Sequence, residues 1–132
     1  MIGLDTNVVV RYLVQDEPEQ SGQAGAVIDA LTEEDRGFLS LVTVVELYWV
    51  LRGAYKLSTD ACANLVDGLL DARELEIDRE SIVRTALAAS RDGLDFADAV
   101  IAELGRAAGC HHTVTFDRRA SQSAHMQLLG TA

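Results

Sequence analysis

"MIGLDTNVVVRYLV", residues 1–14, changes periodicity within five positions. Ile2-Gly3-Leu4 has the character of a short buried strand, whereas residues 7–14 place apolar side chains on nearly every side, as a buried helix does. Asp5 stands between them. Asp is a common helix N-cap, because its side-chain oxygen accepts an otherwise orphaned backbone N–H, so this carboxylate has a structural reading as the start of the next helix.

The same succession repeats along the chain. "QDEPEQ" (15–20) breaks the first helix, and from about Glu19 to Leu31 the residues Ala24, Val27, Ile28 and Leu31 fall at helical spacing. The acidic run Glu33-Glu34-Asp35 precedes the strand-like "GFLSL" (37–41), and a helix follows from about Thr43 to Tyr55. Ser58 or Thr59 can cap the next helix, with Leu65, Leu69 and Leu70 on its inner side, before "ELEID" (74–78) alternates as a strand. Two more helices are expected over residues 79–89 and 96–108. Gly109 suits the position after the second, ahead of a strand in "HHTVT" (111–115) and a last edge strand in "MQLLG" (126–130). Strands alternating with helices imply parallel pairing, because right-handed crossovers put helices on both faces of the sheet. The expected class is α/β, a three-layer α/β/α sandwich with a mostly parallel central sheet.

At 132 residues the chain is expected to be one domain, 1–132, large enough to bury roughly two thirds of its unfolded surface. Its 48% hydrophobic content and single Pro fit a globular protein, and nothing reads as a targeting or membrane segment, so a cytoplasmic location without membrane contact is expected. Cys62 and Cys110 are too few for a disulfide framework and are expected to be reduced and packed. His111 and His112 follow Cys110, but neighbours on a strand point to opposite faces, so the three cannot close on one zinc ion. The formal net charge is −10, and Arg supplies every basic residue except Lys56. That balance excludes a protein that holds nucleic acid by bulk electrostatics.

In open α/β sheets, ligands bind beyond the carboxyl ends of the strands, and Asp5 and Asp117 each follow such an end. Asp117, in "TVTFDRRA" (113–120), shares the capping alternative of Asp5. Asp95 and Asp98, in "GLDFADAVIAEL" (93–104), lie on one face of a first helical turn and also resemble a capping pair. Glu46 is different, because Glu is a poor N-cap and this one is the only charge in "LSLVTVVELYWVL" (39–51), a helix expected to be buried on most of its circumference. A buried carboxylate raises its pKa, finds a partner or binds a cation; the structural alternatives are snorkelling or pairing with Arg52 or Lys56. Asp5, Glu46, Asp98 and Asp117 come from four separate elements. Gathered in one cleft they would repel each other unless a cation neutralised them, and hard oxygen ligands suit Mg²⁺ or Mn²⁺. The chemistry that such a site supports is in-line attack on a phosphodiester.

With Asp5-Thr6-Asn7, Glu46 in an apolar helix, "DFADA" (95–99) and Thr115-Phe116-Asp117 in this order, the chain resembles the PIN-domain ribonucleases, and among them the VapC-type toxins of bacterial toxin–antitoxin pairs. The resemblance implies a metal-dependent endoribonuclease acting on RNA, often a homodimer, silenced by a small antitoxin docked in a groove beside the active site. It carries the acidic positions onto Asp5, Glu46, Asp98 and Asp117. Asp5 and Asp98 would ligate the cation, Glu46 would do so directly or through water, and Asp117 matches a more variable position. Thr6, Asn7 and Thr115 match polar neighbours that orient ligands or water, with Asp95 in support.

The acidic charge leaves RNA contacts to Arg side chains. Arg11, Arg52, Arg118 and Arg119 follow the acidic motifs and are the candidates for phosphate contact, with surface ion pairs as the alternative. Of Tyr48 and Trp49, one is expected in the core and the other in an apolar groove suited to an antitoxin segment. A Mg²⁺-binding phosphoacceptor domain would want a Lys after a late strand, but Lys56 falls in an expected helix. A phosphatase with an Asp nucleophile would need an acid where Asn7 stands. A catalytically inactive PIN-like binding module is the closest rival, and cleavage assays separate it from the enzyme.

Overall fold

The structure, a computed structural model, describes residues 1–130, so the end of the expected domain at 132 lies outside the described residues. The chain divides into two compact units, one spanning Met1–Arg79 and the other beginning at Glu80.

The first unit runs β1 (Ile2–Gly3), α1 (Thr6–Val14), α2 (Pro18–Asp29), β2 (Gly37–Leu39), α3 (Leu41–Gly53), α4 (Thr59–Asp71) and β3 (Leu75–Ile77). Its three strands pair in the order β1-β2-β3, all parallel, with Ile2 opposite Gly37 and Phe38 opposite Glu76. Each crossover carries two helices, which supplies the long connection that parallel neighbours need. Strand ends pass directly into helices: Ser40 follows β2 and its hydroxyl accepts from Thr43 N at 3.1 Å, capping α3, and Ser58 caps α4 in the same way. Glu17 caps α2 through Glu19 N and Gln20 N, with Pro18 in the first turn, although Glu is a weak capping residue.

Leu4, Val9, Val10, Leu39, Val44, Leu47, Leu51, Cys62 and Val66 form the core of this unit. Gly37 is closely covered there: a Cβ at this position would meet Leu31 Cδ1 at 2.8 Å, Leu4 Cδ1 at 3.0 Å and Leu75 Cδ2 at 3.1 Å, so these leucine ends would have to shift to admit one. Three expectations are corrected. β1 is not buried, since Ile2 is 43% exposed and Gly3 is also exposed, because β1 ends the strand order of this sheet and only Leu4 beyond it turns inward. Val27 is exposed although Ala24 and Leu31 of the same expected face are buried. Lys56 lies past the end of α3, in a left-handed turn with φ +55°, rather than in a helix.

The second unit runs α5 (Glu80–Arg91), α6 (Phe96–Ala107), β4 (Thr113–Thr115), a 3₁₀ turn (Ala120–Gln122) and β5 (Met126–Leu128). α5 and α6 pack on each other. Ile82, Val83, Ala86 and Leu87 of α5 are buried, as are Phe96, Ala99 and Val100 of α6. β4 and β5 are a parallel pair, Thr113 opposite Met126. Gly109 follows the α6 C-cap with φ +94°, as its position in the sequence implied. Both cysteines are free, and Cys110 is exposed rather than packed; burial pushes the Cys62 thiol pKa up. No helix among the described residues is long and apolar enough to cross a membrane.

Candidate active site

Asp5 occupies the N-cap position of α1, with extended φ −78° and ψ 157°, yet its carboxylate makes no capping hydrogen bond. The backbone carbonyl alone serves the helix, accepting from Val8 N at 3.1 Å and Val9 N at 3.3 Å. Sequence gave Asp5 and Asp117 equal claims to capping, and the structure separates them. Asp117 Oδ1 accepts from Arg119 N at 2.8 Å and Ala120 N at 3.3 Å, while its own N–H donates to Thr115 Oγ1 at 3.1 Å. One oxygen of Asp117 therefore shapes the turn after β4, and Asp5, exposed just past β1, has no such duty.

Thr6 follows Asp5 and is 6% exposed. Its hydroxyl donates to Glu46 Oε1 at 2.6 Å, a short charge-assisted bond that ties the first turn of α1 to the middle of α3. Asn7, next in the chain, is exposed. Glu46 is itself exposed, which corrects the expectation that α3 buries most of its circumference. α3 buries Thr43, Val44, Leu47, Tyr48 and Leu51, and leaves a stripe of Val42, Glu46 and Trp49 facing solvent. Of the aromatic pair, Tyr48 is the core member at 6% exposed, while Trp49 is 74% exposed and does not line the apolar hollow of this unit. The start of α3 is also held by a residue at the end of the expected strand 74–78. Asp78, immediately past β3, accepts from Leu41 N at 3.3 Å; its signal was the same strand-end position that marked Asp5.

In the second unit Asp95 is the N-cap of α6, its Oδ2 accepting from Asp98 N at 3.0 Å. This sets the first turn of the helix that presents Asp98. Asp98 is half-buried, and its carboxyl is raised above the ordinary Asp range, first by burial and then by the like charges of Asp95 and Asp117. Thr115 lies at the end of β4 and orients Asp117 through the bond described above.

The arginines have different engagements. Arg11 donates to Gln20 Oε1 at 2.7 Å, to the Tyr55 hydroxyl at 3.1 Å and to Asp16 Oδ1 at 3.4 Å, which is a structural role. Arg52 donates to the Leu57 carbonyl at 2.8 Å and Arg119 to the Gly93 carbonyl at 3.4 Å, while Arg118 is exposed. Among the described residues no three His, Cys, Asp or Glu groups are gathered closely enough to hold a metal ion. Asp5, Glu46, Asp98 and Asp117 are each oxygen donors, the kind of group that suits a hard cation. Burial is the first cause of the raised Asp98 pKa, and the like charges of Asp95 and Asp117 add to it.

These features define a parallel α/β protein with carboxylates at strand ends and first helical turns. The PIN domain family model matches residues 2–125, and the chain belongs to that family. Membership carries the α/β fold class expected from the sequence. PIN domains are generally metal-dependent nucleases. Among curated proteins none matches the chain.

Proposed function

We propose that the chain is a Mg²⁺- or Mn²⁺-dependent endoribonuclease and the toxin of a toxin–antitoxin pair, acting in the cytoplasm. The observation that carries this reading is Asp5, which on a PIN chain stands at a strand end, in the N-cap position, with its carboxylate withheld from capping. The family match runs through both compact units, which supports treating 1–132 as one functional domain.

Asp5 and Asp98 would hold the cation, with Glu46 and Asp117 completing an all-oxygen set. When bound, the cation would supply Lewis acidity, lowering the pKa of a water and neutralising charge that develops on the phosphate. Thr6 holds the Glu46 carboxylate in one orientation through the 2.6 Å bond, so this group need not be ordered when substrate arrives. The Asp95 cap fixes the turn that carries Asp98, and the turn bonds to Asp117 Oδ1 leave Oδ2 to face a ligand. Thr115 holds the Asp117 backbone, and Asn7 is an exposed amide available to a water or a phosphate. Of the arginine candidates, Arg118 is the best suited to phosphate, and Arg11 the least.

An apolar hollow of about 470 Å³ in the first unit, lined by Leu4, Val9, Leu13, Ile28, Leu65 and Leu69, supports an antitoxin partner. Asp29 and Glu74 also line it, so an amphipathic segment carrying a basic residue is the complementary occupant. The homodimer of the family is part of the same proposal. Induced expression of the chain is expected to arrest bacterial growth, and Asp98→Asn to abolish the arrest while circular dichroism remains unchanged. A folded Asp98→Asn protein with full toxicity would overturn the site.

A further inference from the structure

We infer that Trp49 is the platform on which an unpaired base of the RNA substrate stacks. This rests on the nuclease reading above and adds the means by which an acidic protein retains its substrate. Trp49 lies three residues after Glu46, so the two side chains share one face of α3, and both are exposed. The indole is 74% exposed, whereas the neighbouring Tyr48 is buried. Val42, four residues before Glu46 and 70% exposed, extends the same face. A large apolar ring is thus presented one helical turn from a candidate catalytic carboxylate that Thr6 already holds in place.

Charge is the second line. A chain of net charge −10 with a single Lys gains little from phosphate contacts at large, and Arg11, the arginine nearest in sequence to Asp5, is committed to Gln20, Tyr55 and Asp16. Stacking needs no charge. Every base has a π-face, so an exposed indole holds single strands of varied sequence and rejects duplex, whose bases are already stacked. Trp49 is therefore assigned to substrate binding and to single-strand preference rather than to the bond-breaking step.

Trp49 is the only tryptophan in the chain, so its emission reports this site alone when excited selectively. The experiment mixes wild-type protein with Mg²⁺ and, separately, a single-stranded RNA oligomer, an abasic oligomer of equal length and an RNA duplex, reading the initial fluorescence amplitude before cleavage proceeds. Saturable quenching by the single strand alone is expected. Trp49→Ala should raise KM about tenfold with kcat changed less than about twofold, and Trp49→Phe should recover much of the loss. Equal quenching by the abasic oligomer would overturn the inference. So would an unchanged KM in Trp49→Ala, or a Trp49→Ala protein whose solution mass falls from dimer to monomer, which would give Trp49 to an interface between copies. Metal-dependent cleavage without quenching would overturn the stacking role and leave the nuclease standing; absence of cleavage by wild type would overturn both.

Discussion

At the level of single residues, Asp98 sets stability against the metal-binding role proposed for it. Its carboxyl pKa is raised by burial, then by Asp95 and Asp117. An acid with a higher pKa folded than unfolded binds its proton more tightly in the folded state, so the stability it contributes falls as pH rises from the ordinary Asp range through the raised value. The full penalty stands at neutral pH. Asp98→Asn is therefore expected to melt at a higher temperature than wild type in EDTA at pH 7, with the difference vanishing in acid. Adding Mg²⁺ should raise the melting temperature of wild type and leave the variant unmoved. Activity should have an acidic limb set by Asp98, and Asp95→Asn, which removes one of the like charges, should move that limb to lower pH in a pH–rate profile. Thr6→Val deletes the bond to Glu46 and is expected to lower kcat by about tenfold, with Thr6→Ser close to wild type.

Among the helices and strands, capping separates residues that sequence could not. Ser40 caps α3 and Asp5 caps nothing with its side chain, although both follow a strand and precede a helix. Ser40→Ala should cost about 1 kcal/mol in chemical denaturation with cleavage per folded molecule preserved. Asp5→Ala should cost less than about 0.5 kcal/mol and remove cleavage. The reverse pattern would return Asp5 to a structural role. The order and type of the elements were legible, since Ala24, Ile28 and Leu31, and again Leu65 and Leu69, recur at helical spacing and strand-like runs separate the helices. The exposure of Glu46 was not legible, because α3 is apolar all round and periodicity cannot choose which apolar face lacks a cover. Nor was the exposed β1, because two residues give no alternation to read. The acidic residues themselves could be named from their strand-end and first-turn positions, while their separate duties, Asp95 as a cap and Asp117 as a turn-former, depend on hydrogen bonds that composition does not encode. Gly37 shows the same limit: only packing reveals that Leu4, Leu31 and Leu75 close over it, and Gly37→Val is expected to destabilise the fold by about 1–3 kcal/mol in a denaturant titration.

For the molecule as a whole, an acidic PIN-family chain that uses RNA must recruit its substrate by means other than net charge. The proposed cation at the carboxylates and the inferred stacking of a base on Trp49 would be two such means. Digestion of total bacterial RNA by the purified protein in Mg²⁺ or Mn²⁺ against EDTA, with Asp5→Asn run in parallel to expose any contaminating nuclease, separates a metal-dependent nuclease from an inactive PIN chain. Discrete fragments that require both the metal and Asp5 are expected. RNA left intact in every metal would overturn the nuclease, and RNA cut equally by Asp5→Asn would overturn the site.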